Sequence, residues 1–310
     1  GRDLFRLDGG QSNRLRQAAG TGKPTPTAVQ ASGKFQLPLP DGSLLSGVLF
    51  ESTILSPELA TANPSLKTYL LIDPATNNTL ARLTASPGGF TGVIFTKQGT
   101  AYIHPLGSAY PDLHMVYLIK DLKNDNPVTC GVQETMSNLR ETSVLATDGL
   151  VRTYRLAVAA TGEYTTWAGS QAAALTYITT AVNDINAIYE AELGIHLTLV
   201  TNNSLLFTNA ASDPYPTVAF PNTTTLDDNQ NTLTSVLGTG NFDLGVVFNS
   251  GWNGGLAYVG VVCGGNKGGA AAGLTFGGGA NPTAGPQGPI FEATVAHELA
   301  HLFSATHTFA

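Results

Sequence analysis

Eleven residues near the end of the chain, His297-Glu298-Leu299-Ala300-His301-Leu302-Phe303-Ser304-Ala305-Thr306-His307, constrain it more than any other segment. Two histidines four apart on a helix stand one above the other on the same face. Their imidazoles can then grip one zinc ion from the same side. Glu298 falls one step round that helix, close enough to touch a zinc-bound water without being a ligand. His307 returns to the same ion only if the helix ends near Ser304 and the chain bends back. Three neutral nitrogens with an open fourth position describe a catalytic rather than a structural zinc site. The expected metal ligands are therefore His297, His301 and His307, and the expected general base is Glu298. Zinc lowers the pKa of its bound water to about 7 and polarises a carbonyl. Glu298 would take a proton from that water and pass it to a leaving amine. The reaction implied is amide hydrolysis without a covalent intermediate.

The rest of the composition narrows the setting. At 310 residues the chain is long enough for two domains, and 42% apolar residues can build a real core. Only 12% of residues are charged, a surface that suits a secreted protein. A formal charge of −7 argues against nucleic acid as a partner, since nothing here neutralises a run of phosphates. No apolar run approaches the roughly 18–20 residues that span a bilayer. Two cysteines, Cys130 and Cys263, are too few for a disulfide framework.

Residues 1–30 read as a flexible leader and 31–150 as a β-rich domain. Within it Lys34–Pro40 and Leu44–Ser52 flank the turn Pro40-Asp41-Gly42, and short strands follow to Ile119. From 151 onward strands and helices alternate, which indicates an α/β layer architecture. Thr153–Ala160, Ile195–Thr201, Phe242–Asn249 and Gly254–Cys263 read as strands. Gln171–Leu193 is the best helix, with Leu175, Ile178, Val182 and Ile185 on a 3.6 period and Gly194 placed to end it. Asp228–Leu237 reads as a short helix and Gly264–Gly288 as a long loop. The histidine-bearing helix begins near Phe291. The overall class expected is α+β. His104, His114 and His196 are lone and read as structural or surface residues, and Trp167 and Trp252 as packing residues.

The run from His297 to His307 resembles the metzincin metallopeptidases, whose pattern is His-Glu-x-x-His-x-x-Gly-x-x-His. Ser304 stands at the glycine, where the family turns the chain in a left-handed conformation that costs a serine about 1–2 kcal/mol. In the reprolysin or adamalysin branch an aspartate usually follows the third histidine. Thr308 follows it here, which is closer to bacterial secreted members. Gly255-Leu256-Ala257-Tyr258-Val259-Gly260 resembles the family's strand along the active-site cleft, where an extended peptide can add to the sheet edge. The resemblance implies a secreted zinc endopeptidase, expected as a monomer, acting on a protein or peptide substrate. Metzincins continue past the third histidine into a turn carrying a methionine. The chain ends three residues after His307, so the catalytic domain is expected to lack its C-terminal part and to show weak activity or none.

Pro127-Val128-Thr129-Cys130-Gly131-Val132 resembles the reprolysin cysteine-switch segment, Pro-Lys-x-Cys-Gly-Val. In that family the prodomain thiolate takes the open zinc position. The resemblance therefore makes Cys130 a fourth, zymogen-switch ligand and makes the protein's own prodomain its inhibitor. Activation would cut the linker between Gln133 and Arg152, with Arg140 and Arg152 as candidate trypsin-like sites. A Cys130–Cys263 disulfide, or a cysteine without a role, remains an alternative. In the family Cys263 would instead pair inside the catalytic domain, with a partner beyond Ala310. Two other functions stay open: a noncatalytic binding or adhesion module retaining a zinc site, and a zinc amidase acting on a nonprotein amide.

Overall fold

Short apolar runs broken by turns form an antiparallel sheet in the N-terminal part of the computed structural model, which describes residues 3–6, 35–52, 54–106, 113–122, 128–132, 150–275 and 288–307. The strands are β1 (Asp3–Arg6), β2 (Phe35–Pro38), β3 (Leu44–Ser52), β4 (Lys67–Ile72), β5 (Thr79–Ser86), β6 (Gly89–Thr96), β7 (Gly99–Pro105) and β8 (Leu113–Leu118), ordered β1-β8-β7-β6-β5-β4-β3-β2. Each pairs antiparallel with its neighbours. Period-two alternation puts one row of side chains on a common face, and Leu37, Leu49, Leu71, Leu83, Ile94, Ile103 and Val116 bury there together. At the β2–β3 turn Gly42 takes φ +81°, and Asp41 Oδ1 accepts from the Ser43 amide at 3.0 Å.

Two elements of this region differ from the sequence reading. Asp3–Arg6, inside the expected leader, pairs with the open edge of β8. Among the described residues one helix of six residues, α1 (Pro57–Ala62), interrupts the strands. Its start is a cap: the Ser56 side chain accepts from the Leu59 amide, and Pro57 opens the first turn. The remaining leader residues, 1–2 and 7–30, and the linker, 133–149 with Arg140, lie outside the described residues.

The second sheet has six strands, β9 (Thr129–Cys130), β10 (Arg152–Ala160), β11 (Ile195–Leu199), β12 (Leu244–Asn249), β13 (Gly254–Ala257) and β14 (Ala270–Gly273), in the order β11-β10-β12-β14-β13-β9. β11, β10, β12 and β14 run parallel, and β13 is antiparallel to β14. A parallel sheet is covered on both faces, and β12 is accordingly buried along its whole length. The helices are α2 (Gly162–Ala168), α3 (Gln171–Leu193), α4 (Thr223–Leu237) and α5 (Pro289–Leu302). Ser170 caps the start of α3, and Gly194, at φ +62°, ends it as its position predicts. α4 starts five residues earlier than Asp228 because Asn222 and Thr225 form a reciprocal capping box. Trp252 is buried in the core, in line with a packing role.

The chain divides into two compact units, Gly1–Asp125 with Val182–Ala187, and Asn126–Ala181 with Ile188–Ala310. The segment carrying Cys130 thus belongs to the second unit. Gly254–Cys263 does not run as one strand. β13 stops at Ala257, and the amides of Gly260 and Val261 turn instead to the His301 and Leu302 carbonyls at the end of α5. The stretch expected to be a loop from Gly264 contains β14, which fills the place between β12 and β13. Residues 276–287 of that stretch lie outside the described residues.

Candidate metal centre

Pro289 opens α5 at the position where a missing amide costs nothing. The helix then carries Phe291, Val295, Leu299 and Leu302 fully buried, which fixes its rotation. That rotation sets the other residues. Glu298 and His301 are buried, and His297 is exposed.

The end of α5 brings the third histidine back. Ser304 takes φ +74°, the left-handed conformation expected where the family has glycine. The Ala305 amide bonds the Ala300 carbonyl at 3.0 Å, and the Ser304 amide bonds the His301 carbonyl at 2.9 Å. This pair of bonds is a Schellman motif, which closes the last carbonyls and reverses the chain. The reversed chain places the Ala305 carbonyl 2.8 Å from His301 Nδ1. A carbonyl only accepts, so Nδ1 carries the proton and Nε2 keeps the lone pair. Two residues later His307 arrives beside His297.

The nitrogens converge. His297 Nε2 lies 3.0 Å from His301 Nε2 and 3.1 Å from His307 Nε2. Cys130 Sγ lies 3.5 Å from His301 Nε2. All four donor atoms fall within 4.8 Å of one another. A tetrahedral zinc ion with Zn–N of about 2.0–2.1 Å and Zn–S of about 2.3 Å would separate its ligands by roughly 3.3 Å between nitrogens and roughly 3.6 Å between sulfur and nitrogen. The four donors match that spacing, and a set of three imidazoles and one thiolate suits zinc. The residues present therefore fit the ion. The five expected site residues stand together: the three histidines and Cys130 as possible donors, with Glu298 beside them.

Glu298 is buried beside the donors. Its Oε1 is buried with no hydrogen-bond partner among the described residues, and Oε2 lies 3.8 Å from Cys130 Sγ. Burial pushes its carboxyl up to about 8, and the Cys130 hydrogen bond pulls part of the way back. Cys130 arrives on β9, which pairs parallel with the edge of β13, Thr129 opposite Gly254 and Cys130 opposite Gly255. The Gly131 amide adds a bond to the Gly255 carbonyl at 2.9 Å, and the Val132 amide turns back to Sγ at 3.4 Å. Cys130 and Cys263 form no disulfide.

The other singled-out residues do not join the site. His104 and His114 are buried in the antiparallel sheet. His196 pairs with Glu190 at 2.6 Å. Arg152 begins β10, its amide bonded to the Gly194 carbonyl. The sequence reading missed the Ala305 carbonyl and Phe220, whose ring borders the Cys130 segment. The signal for Phe220 was present: the sequence Phe220-Pro221-Asn222 leads straight into the capped start of α4.

A helix bearing two histidines and a buried glutamate, a reversed turn returning a third, and an edge strand beside them define a metal-dependent hydrolase. Residues 150–310 match the model of the metallo-peptidase family M12B, reprolysin-like, and this is just over half of the chain. The chain therefore belongs to that family of reprolysin-like metallopeptidases. Among solved structures, metalloproteinase-II from Bacteroides fragilis is similar over 90% of this chain and 83% of its own, with 12% identity and a TM-score of 0.47. No curated protein matches the chain. Among the described residues no helix is long and apolar enough to cross a membrane.

Proposed function

We propose that this chain is the latent form of a secreted zinc endopeptidase, held shut by Cys130. The observation that carries the reading is the position of Cys130 Sγ, inside the histidine donor set and next to Glu298 Oε2. His297, His301 and His307 would hold the zinc. When bound, it supplies an acidified water and a polarised carbonyl.

The remaining chemistry belongs to the chain's own groups. Glu298, fixed by burial beside the donors, takes a proton on Oε2 and delivers it to the leaving amine. Cys130 blocks this in two ways, because its sulfur completes the donor set and also covers the oxygen that must take the proton. β9 adds a third block by pairing along β13, the edge on which an extended peptide would lie. Removal of the segment through about Leu150 frees all three together. The residues before that cut then act as the inhibitory prodomain. A buried, well-positioned Glu298 argues against a binding module that retains only the metal.

The test is Glu298→Gln in the zinc-loaded full-length protein after cleavage between Gln133 and Arg152. The wild type should gain peptide-cleaving activity on processing, and the variant should keep one zinc per chain while losing activity at least 1000-fold. Equal activity in the two proteins would refute the assignment of the base, and zinc-free folded protein would refute the assignment of the ligands.

A further inference from the structure

Two glycines face one aromatic ring beside the metal centre. A Cβ added at Gly131 would lie 2.7 Å from Phe220 Cε1 and 3.1 Å from Leu256 Cδ1. A Cβ added at Gly254 would lie 2.8 Å from Phe220 Cε2 and 1.9 Å from the Thr129 carbonyl oxygen. Contacts under 3.0 Å require something to move. The Phe220 ring therefore lies against two segments at once: the Cys130 segment at Gly131 and strand β13 at Gly254.

The backbone that carries the ring is restrained. Phe220 precedes Pro221, which restricts its backbone to extended conformations. Pro221 is buried, and Asn222 is locked by the capping box of α4. The ring thus hangs from a backbone anchored at a helix terminus rather than from a loose loop. On the other side, Leu256 belongs to β13 itself and is held by pairing with Ala271.

We propose that Phe220 and Leu256 form a glycine-selective subsite on the β13 edge, next to the metal centre. The inhibitory segment satisfies it with Gly131. A peptide substrate laid along the same edge must likewise present a residue without a side chain at that place, which makes Phe220 a specificity-determining residue. This rests on the reading of the β13 edge as the one shared by the inhibitory segment and substrate.

The first test uses the full zinc-loaded chain with Cys263→Ser, so that only Cys130 reports its reaction with Ellman's reagent. Gly131→Ala should raise the Cys130 rate at least tenfold. In a Phe220→Ala background the same substitution should change it less than twofold, because the wall is gone. An equal effect of Gly131→Ala in both backgrounds, or no effect in the first, overturns the proposal. Stripping the zinc from the unsubstituted Cys130 segment separates the two readings: an unchanged rate sinks the latency mechanism, while the comparison of backgrounds still decides the subsite. The second test digests a peptide pool with the processed full-length protein. Wild type should require glycine at one position near the cut bond, and Phe220→Ala should raise the cleavage of valine-substituted relative to glycine peptides at least tenfold. An identical tolerance in both proteins overturns the assignment of specificity. Absence of any cleavage sinks the endopeptidase reading and leaves the thiol comparison to decide the wall.

Discussion

Gly255 leaves room for Glu298: a Cβ at Gly255 would lie 2.4 Å from Glu298 Cγ and 2.5 Å from its Oε1. Strand β13 and helix α5 meet at this glycine, and the Glu298 carboxylate stands where its side chain would be.

Gly255→Ala should therefore displace Glu298 rather than unfold the protein. The predicted outcome for the processed, zinc-loaded enzyme is a fall in kcat/KM of at least 100-fold, about 2.7 kcal/mol, with zinc content unchanged. Metal analysis alongside peptide kinetics checks it, and loss of the zinc together with the activity would point to a wider collapse.

Ser304 is held at φ +74° to close the Schellman turn. That conformation costs a residue with a side chain about 1–2 kcal/mol and costs glycine almost nothing. Ser304→Gly should stabilise the second unit by about 1 kcal/mol without altering zinc content. Urea unfolding followed through that unit measures it, and a destabilised variant would mean that the serine hydroxyl does more than occupy the turn.

Asp243 takes a fork from Arg155, with Oδ1 2.7 Å from one guanidinium nitrogen and Oδ2 3.1 Å from Nε and 2.8 Å from the Arg155 amide. These bonds hold the Asp243 carboxyl below its usual range. A depressed value means that the folded state prefers the anion. The contribution is complete above the unfolded value of about 3.9 and is lost as the pH falls through the lower folded value. Asp243→Asn should cost about 1 kcal/mol at pH 7, a figure reduced for the half-exposed guanidinium. It should also flatten the acid limb of the stability curve below pH 4. A variant with an unchanged acid limb would show that other groups dominate there.

His104 stacks near Tyr102 and Tyr117, and its Nε2 is buried without a hydrogen-bond partner among the described residues. Burial, with some repulsion from His114, pulls it down to about 4 from the ordinary 6.5. The unfolded chain therefore binds a proton that the folded sheet refuses. The stabilisation is complete above pH 6.5 and falls away between pH 6.5 and 4, by about 3 kcal/mol. Hydrogen exchange in β7 and β8 at pH 7 and pH 4.5 should show the loss. His104→Phe should remove most of it, and an equal loss in the variant would reassign the effect.

The elements legible in the sequence were those with a local cause. The β2–β3 hairpin follows from its turn residues, α3 from its apolar period and its closing glycine, and α5 from two histidines at a helical spacing. Those that escaped depend on partners far along the chain. β14 is four small residues, Ala270–Gly273, with no pattern of their own, and becomes a strand because β12 and β13 flank it. β9 is two residues long and exists only as an addition to β13. β13 ends early because the next amides serve the carbonyls of α5.

The candidate site divides in the same way. The spacing of His297, Glu298 and His301 along one helix, and the offset of His307, are properties of the chain alone, since the pitch of a helix dictates which side chains share a face. The tertiary structure alone decided that Cys130, more than 160 residues away, stands in the donor set, that Glu298 lies against Gly255, and that Phe220 closes over Gly131. Those relationships come from close packing between segments remote in sequence, where the space left for a side chain depends on every neighbour at once.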